Sequence, residues 1–410
     1  MKSTIRIVTL ATILITARAY GQYYFAGSPW SSTVSAQSLG MGGVGTAFIT
    51  DNATATIANP AQLGLFSLGG GLNAATDLTG SLNFSAVNAG TSLNDLWRQL
   101  PLKAGIGIGY SNVSYSNNIY SISALPRLVI QQTGTFNGIS GGVGFDYYIK
   151  LGFGYTFRWI NSRFSDLEGT PFKQTAEDFG ALVQIPIVSI VDHEKERTVR
   201  ESSGIDPHLD FNVGYAMRNW GGFVNSVRAL PTEADLGWSL DGALSSEVDG
   251  HHWKWFSISW SEQAGTSPVM TDSAIGAINA FFGTADTTWN YYNRYEKGLG
   301  RFGIWQNLVI GKASATVGVA RGGQIGLGEF LYLRGGDITY AGNPTATTFG
   351  WGLRLNGLIK CLVFLKSISP QSPFAEFVLN HVDLEYDFGR VYDTAYFGGE
   401  TFESLNLVVR

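Results

Sequence analysis

Leu151-Gly152-Phe153-Gly154-Tyr155-Thr156-Phe157-Arg158-Trp159 alternates without a break. Every odd position is a large apolar or aromatic side chain, and every even position is Gly, Thr or Arg. Successive side chains on a β-strand point to opposite faces. This stretch is therefore a strand with one bulky apolar face and one face that is small, polar or charged. The small face reads as tolerant of polar atoms, so Arg at Phe153 or Tyr155 is expected to hurt assembly much more than Ser at Gly154.

The same pattern recurs to the end of the chain. Leu209, Phe211, Val213, Tyr215 and Met217 alternate with Asp210, Asn212, Gly214, Ala216 and Arg218. Phe349, Trp351, Leu353 and Leu355 alternate with Gly350, Gly352, Arg354 and Asn356. Val382, Leu384, Tyr386 and Phe388 alternate with His381, Asp383, Glu385 and Asp387. Shorter versions run through Ile106, Ile108 and Tyr110 and through Ala313, Ala315, Val317 and Val319.

Two architectures use such strands. A soluble sandwich buries the apolar face and wets the other. A transmembrane barrel sets the apolar face in lipid and the polar face towards its interior. The 11 Trp, 18 Tyr and 25 Phe, many near strand ends, suit the aromatic girdles of a barrel. The 52 Gly fall largely on the small face, where they allow curvature and close packing against something inside.

The start of the chain points the same way. Met1 to Arg6 is a short basic stretch, Ile7 to Ile15 is apolar, and Ala17-Arg18-Ala19 and Ala19-Tyr20-Gly21 offer small-x-small cleavage patterns. Residues 1–21 read as a signal peptide, with cleavage before Gln22. No later stretch is long and apolar enough for a membrane helix. A chain that spans a membrane without helices must close into a barrel, because open strand edges are not solvated in lipid. The expectation is the outer membrane of a Gram-negative cell, with outer-membrane lipid as a partner.

Residues 22–66 differ from the rest. They are rich in Gly, Ala, Ser and Thr, and Asp51 is their one charged residue. The stretch reads as compact and packed inside something. Asp51 is expected to cap a short helix over residues 52–57, and Asn59 to cap the next turn with Pro60 at its first position. From residue 67 to 410 the chain is strands and loops. At roughly 9–11 residues per membrane strand, this length accommodates about 12 to 16 strands.

Gly40-Met41-Gly42-Gly43-Val44-Gly45 matches a dinucleotide fingerprint, but no hydrophobic strand precedes it and no βαβ unit follows. Together with Ser38-Leu39, Thr46-Ala47-Phe48, Asp51-Asn52-Ala53 and Asn59-Pro60-Ala61-Gln62-Leu63, it resembles the N-terminal hatch of the FadL/TodX superfamily of outer-membrane transport proteins, in tone nearest the PorV/PorQ branch. The match covers about 30 residues. Gln62 stands where the family pattern has Gly, and the C-terminal Arg410 where barrels of this kind have an aromatic residue. The resemblance implies an all-β, transmembrane antiparallel barrel of about 14 strands with the hatch inside it. It implies one of two functions: passive transport of small hydrophobic ligands, or a secretion role that binds secretion-system proteins at the surface. The hatch-motif residues are Gly40, Gly42, Gly43, Gly45, Asn59, Pro60 and Ala61, with a role in hatch geometry.

Other chemistry finds little support. The five histidines (His193, His208, His251, His252 and His381) make no metal-ligand spacing, and no motif marks a nucleophilic Ser. The expectation is no enzyme, no cofactor and no metal. Cys361 stands alone, so no intrachain disulfide forms. A net charge of −5 argues against nucleic acid. Arg158, Arg218, Arg354, Asp210, Asp383, Glu385 and Asp387 fall on the interior face and are expected to pair across it and with the hatch. Arg321 falls on the apolar face, where it reads as snorkelling to an interface. Residues 274–282 read as a short amphipathic helix at the barrel mouth.

Overall fold

The computed structural model describes residues 35–78, 82–94, 102–120, 129–164, 172–194, 204–220, 233–248, 251–266, 269–270, 294–295, 302–314, 317–339, 345–369, 371–392 and 400–410. The signal-peptide segment and residues 274–282 lie outside them.

Fourteen antiparallel strands close into a barrel. In chain order they are β1 (Gly71–Asp77), β2 (Leu82–Ser92), β3 (Lys103–Tyr120), β4 (Val129–Tyr147), β5 (Ile149–Phe164), β6 (Phe172–Pro186), β7 (Asp206–Trp220), β8 (Glu233–Val248) and β9 (His251–Thr266). They continue as β10 (Val317–Leu327), β11 (Leu331–Thr339), β12 (Thr345–Arg354), β13 (Val382–Tyr392) and β14 (Glu400–Val409). Each strand pairs with its sequence neighbours, and β1 pairs with β14 from Leu72–Val409 to Asp77–Ser404. Closure leaves no unpaired edge, which is the condition for strands to cross lipid.

The alternation sets the two faces. Ile106, Ile108, Tyr110, Val143, Phe153, Tyr155, Trp159, Ile258, Trp260, Ile325, Leu333, Phe349 and Leu353 are all exposed on the outside. A soluble protein does not leave so many large apolar side chains in water; this is the lipid-facing belt of a transmembrane barrel. Their neighbours Gly152, Gly154, Arg158 and Arg334 point inward.

One end of the barrel holds Gly71 and Val409 together with its tightest turns. Tyr148 alone joins β4 to β5 and takes φ 62°. Gly328–Phe330 joins β10 to β11, with Glu329 at φ 59°. Two further helices, α5 (Leu355–Phe364) and α6 (Pro373–His381), join β12 to β13 at this same end, and α4 (Ile187–Glu194) joins β6 to β7. Ser372 caps α6 by accepting from the Ala375 amide at 3.2 Å.

Ahead of β1 lie α1 (Ala36–Gly40), α2 (Ala55–Ala58) and α3 (Ala61–Gly69). The last of these runs past residue 66, and β1 begins only at Gly71. Asp51 does not cap a helix. Asn52 does the local work instead, its side-chain oxygen accepting from the Thr54 amide at 3.0 Å, while Asp51 pairs with Arg354 and Arg410. Two arginines compete more strongly for a carboxylate than a single amide does.

Candidate functional site

The segment of residues 35–70 runs along the inward face of the wall and touches most of its circumference. Gly40 lies against Gly350 and Gly389. Met41 and Gly42 abut Gly322 and Gly336. The amides of Gly45 and Thr46 donate to Gln263 Oε1 at 3.0 and 3.1 Å. The Ala53 amide donates to Asn406 at 3.2 Å, and Asn88 donates to the Ala53 carbonyl at 3.1 Å. Farther along, Asn59 meets β6, Pro60 and Ala61 meet β5, and Gly64 meets β4.

Small residues make this approach possible. A Cβ at Gly154 would collide with the Pro60 carbonyl, and one at Gly142 would press on the Gly64 amide. A Ser at Gly154 would therefore meet the segment: the small face here is occupied by backbone, not by water. The glycines that the sequence marks for curvature and close packing against something inside are a seat for the segment.

Asn59 holds the turn into α3. Its Oδ1 accepts from the Ala61 amide at 3.0 Å, and its Nδ2 donates to the Thr46 carbonyl at 2.7 Å. Gln62 donates to the Phe48 carbonyl at 2.6 Å. Gly42 and Gly43 take φ 76° and 80°, a region that favours glycine. The Gly42 amide donates to Thr348 Oγ1 at 2.8 Å.

Between this segment and one arc of the wall lies an apolar row. Phe84 faces Val113, Val113 faces Phe136, and Phe136 faces Ile160 across successive strand pairs. Ile57 of α2 packs on them, with Ala176 at the edge, and all six are buried. Arg158 closes the row. Its guanidinium lies 4.8 Å from the Phe136 ring centre, pairs with Asp178, and donates to the Ile57 carbonyl at 3.2 Å and to Asn219 at 3.5 Å. Asp178 in turn accepts from the Asn219 amide at 2.8 Å.

The other interior charges are also paired. Arg218 reaches Asp235 at 2.6 Å and Glu233 at 2.9 Å. Arg334 pairs with Asp387 and with Glu385 at 3.1 Å, and its Nε donates to Gln324 at 3.1 Å. Arg354 pairs with Asp383 and lies 3.5 Å from Asp51. Asp210 accepts from Gln184 at 2.6 Å and lies 2.8 Å from His208 Nε2. Each of these arginines and carboxylates has a partner, as the cost of an isolated buried ion demands.

Arg334, Asp178, Asp235 and Glu233 were not singled out in the sequence. In Leu331-Tyr332-Leu333-Arg334 the leucines mark the outer face and place Arg334 inward with Tyr332. Phe84 and Phe136 carry no comparable signal, because each stands between polar residues. On the outer face, Arg321 does not simply snorkel: its Nε donates to both Asp337 oxygens at 2.9 and 2.7 Å.

At the tight-turn end, a polar cavity of about 330 Å³ is lined by Asp51, Arg354, Asp383, His381, Lys254 and Arg410, among others. Among the described residues, no group of three or more His, Cys, Asp or Glu is placed to hold a metal ion.

No family model and no curated protein matches the chain. Solved structures similar to it include the CymD monoaromatic hydrocarbon channel, at 11% identity over 93% of this chain and 98% of that one, with a TM-score of 0.41. The toluene transporter TodX of Pseudomonas putida is 10% identical over 96% and 98%, with a TM-score of 0.33. The toluene transporter TbuX of Ralstonia pickettii is 10% identical over 92% and 96%, with a TM-score of 0.36. At these identities and scores, the likeness carries no argument about the ligand of this chain.

Proposed function

We propose that this chain is an outer-membrane channel of the FadL/TodX type through which small neutral apolar molecules pass passively, with residues 35–70 as its hatch. The observation that carries the reading is the row of Phe84, Val113, Phe136 and Ile160 closed from the hatch side by Ile57. Such a row offers dispersion contact and no polar demand, which suits a hydrocarbon. The neighbouring cation does not change this. Arg158 is already neutralised by Asp178 and hydrogen-bonded to Ile57 and Asn219, so it has little left to offer a carboxylate. An isolated barrel interior would be wet; the hatch packs the inward polar groups instead and leaves this apolar strip between itself and the wall.

The test is uptake of a small neutral hydrocarbon into liposomes carrying the purified protein. Phe136→Asp places a charge in the row. Uptake is expected to fall while heat-modifiable migration on gels shows the barrel still assembled. Unchanged uptake by an assembled Phe136→Asp protein would overturn the reading.

A further inference from the structure

We infer that the helical hairpin α5–α6 is a membrane-surface element that lies against the phospholipid leaflet at the tight-turn end of the barrel. This is independent of what the channel carries.

The hairpin has its own small core. Ile359 and Val363 of α5 pack on Ala375 and Val378 of α6, with Leu355, Leu362, Ile368 and Leu379 around them. That core uses only part of its apolar residues. Leu358 and Leu365 lie seven positions apart on α5 and its C-terminal turn, and so share one face with Cys361. Leu365 is 62% exposed. On α6, Phe374 and Phe377 form a second stripe, and Phe377 is 54% exposed. Polar contacts fall elsewhere: Lys360 pairs with Glu329 at 2.6 Å, and Asn356 donates to the Val378 carbonyl at 3.1 Å. The pair is thus amphipathic: Lys360 ties it to the β10–β11 turn, Asn356 ties its two helices together, and the apolar stripes stay open.

Lipid is the occupant because the open face continues the belt that already faces lipid. The last outward residue of β12 before α5 is Leu353, itself exposed, and Leu327 and Phe256 are exposed at the same end of their strands. Phe364, at the end of α5, packs against Trp253 and Trp255 at ring-centre separations of 5.1 and 4.9 Å. Trp253 donates to the Gly328 carbonyl at 2.9 Å. Lys366 follows Leu365 and is exposed, so a cation stands beside the apolar face at the level of phosphate headgroups.

Cys361 is the one cysteine of the chain, which makes the test direct. In a Cys361→Ser background, Leu365→Cys and Phe377→Cys are each spin-labelled and reconstituted into phosphatidylcholine–phosphatidylglycerol liposomes. Collision with oxygen is expected to exceed collision with a water-soluble nickel chelate at both positions, as at a Phe153→Cys label in the belt. The native Cys361, half-buried on the same face, gives the same reading without a substitution if either variant fails to assemble. No other protein is present in these liposomes. Chelate collisions exceeding oxygen collisions at these positions would overturn the proposal and leave the face to a protein partner.

Discussion

The arc of wall from β2 to β6 and the arc from β10 to β13 meet the same inner segment with different chemistry. On the first, Arg158 has a single carboxylate, Asp178, and spends its remaining surface on an aromatic ring beside an apolar row. On the second, Arg334 sits between two carboxylates, Asp387 and Glu385, and its guanidinium lies 5.6 Å from the Tyr332 ring centre. Glycine seats the segment on both. The difference teaches that backbone approach and interior chemistry are set separately: glycines fix how close the segment comes, and the large inward residues decide what chemistry lies alongside it.

The largest expected effect breaks the second arc. Arg334→Ala leaves two buried carboxylates facing each other, and loss of one member of a buried ionic group costs about 3–5 kcal/mol. Urea titration followed by heat-modifiable migration should show that loss, and Arg158→Ala, which strands only one carboxylate, should lose less. Equal losses would erase the distinction between the arcs. Next comes the outer side of the first arc. Phe153→Arg exposes a guanidinium to lipid at about 2–4 kcal/mol near the midplane, and assembly yield should fall accordingly. Gly154→Ser, one residue away, should leave the wall intact yet push Pro60 off its seat, raising single-channel conductance in planar bilayers. Asn59→Ala is smaller again. It leaves the buried Thr46 carbonyl and Ala61 amide without their partner, about 1–3 kcal/mol by the usual cost of such groups, and should loosen the inner segment without unfolding the barrel. The mildest probe is Ile57→Val, at about 0.5–1.5 kcal/mol. It should alter hydrocarbon uptake while Arg334 and its partners report no change in urea stability beyond that amount.

The strands were legible because their signal is local. Leu151–Trp159 declares two faces by itself, and a period of two survives any choice of neighbour. The interior site was not, because it depends on register. Phe84 and Phe136 read as isolated aromatics until pairing sets both beside Val113. Asp51 is similar: its short-range reading is a helix cap, and its partners Arg354 and Arg410 stand more than 300 residues away in sequence. Arg334 lies between these extremes. Its face was readable from Leu331 and Leu333, but its two carboxylates follow only from the pairing of β11 to β12 and of β12 to β13.

Between β10 and β11, Gly322 faces Gly336 and Gly323 faces Gly335. Neighbouring glycines here answer to opposite sides of the wall. A Cβ at Gly336 would strike the Gly42 amide, whereas one at Gly335 would find nothing nearer than 3.9 Å. Two letters that look identical in the sequence therefore carry different histories of selection. In a set of related chains, position 336 should be held as glycine wherever the Met41–Gly42 turn is kept, while position 335 should drift to alanine or larger residues, recording the lipid outside and not the segment within.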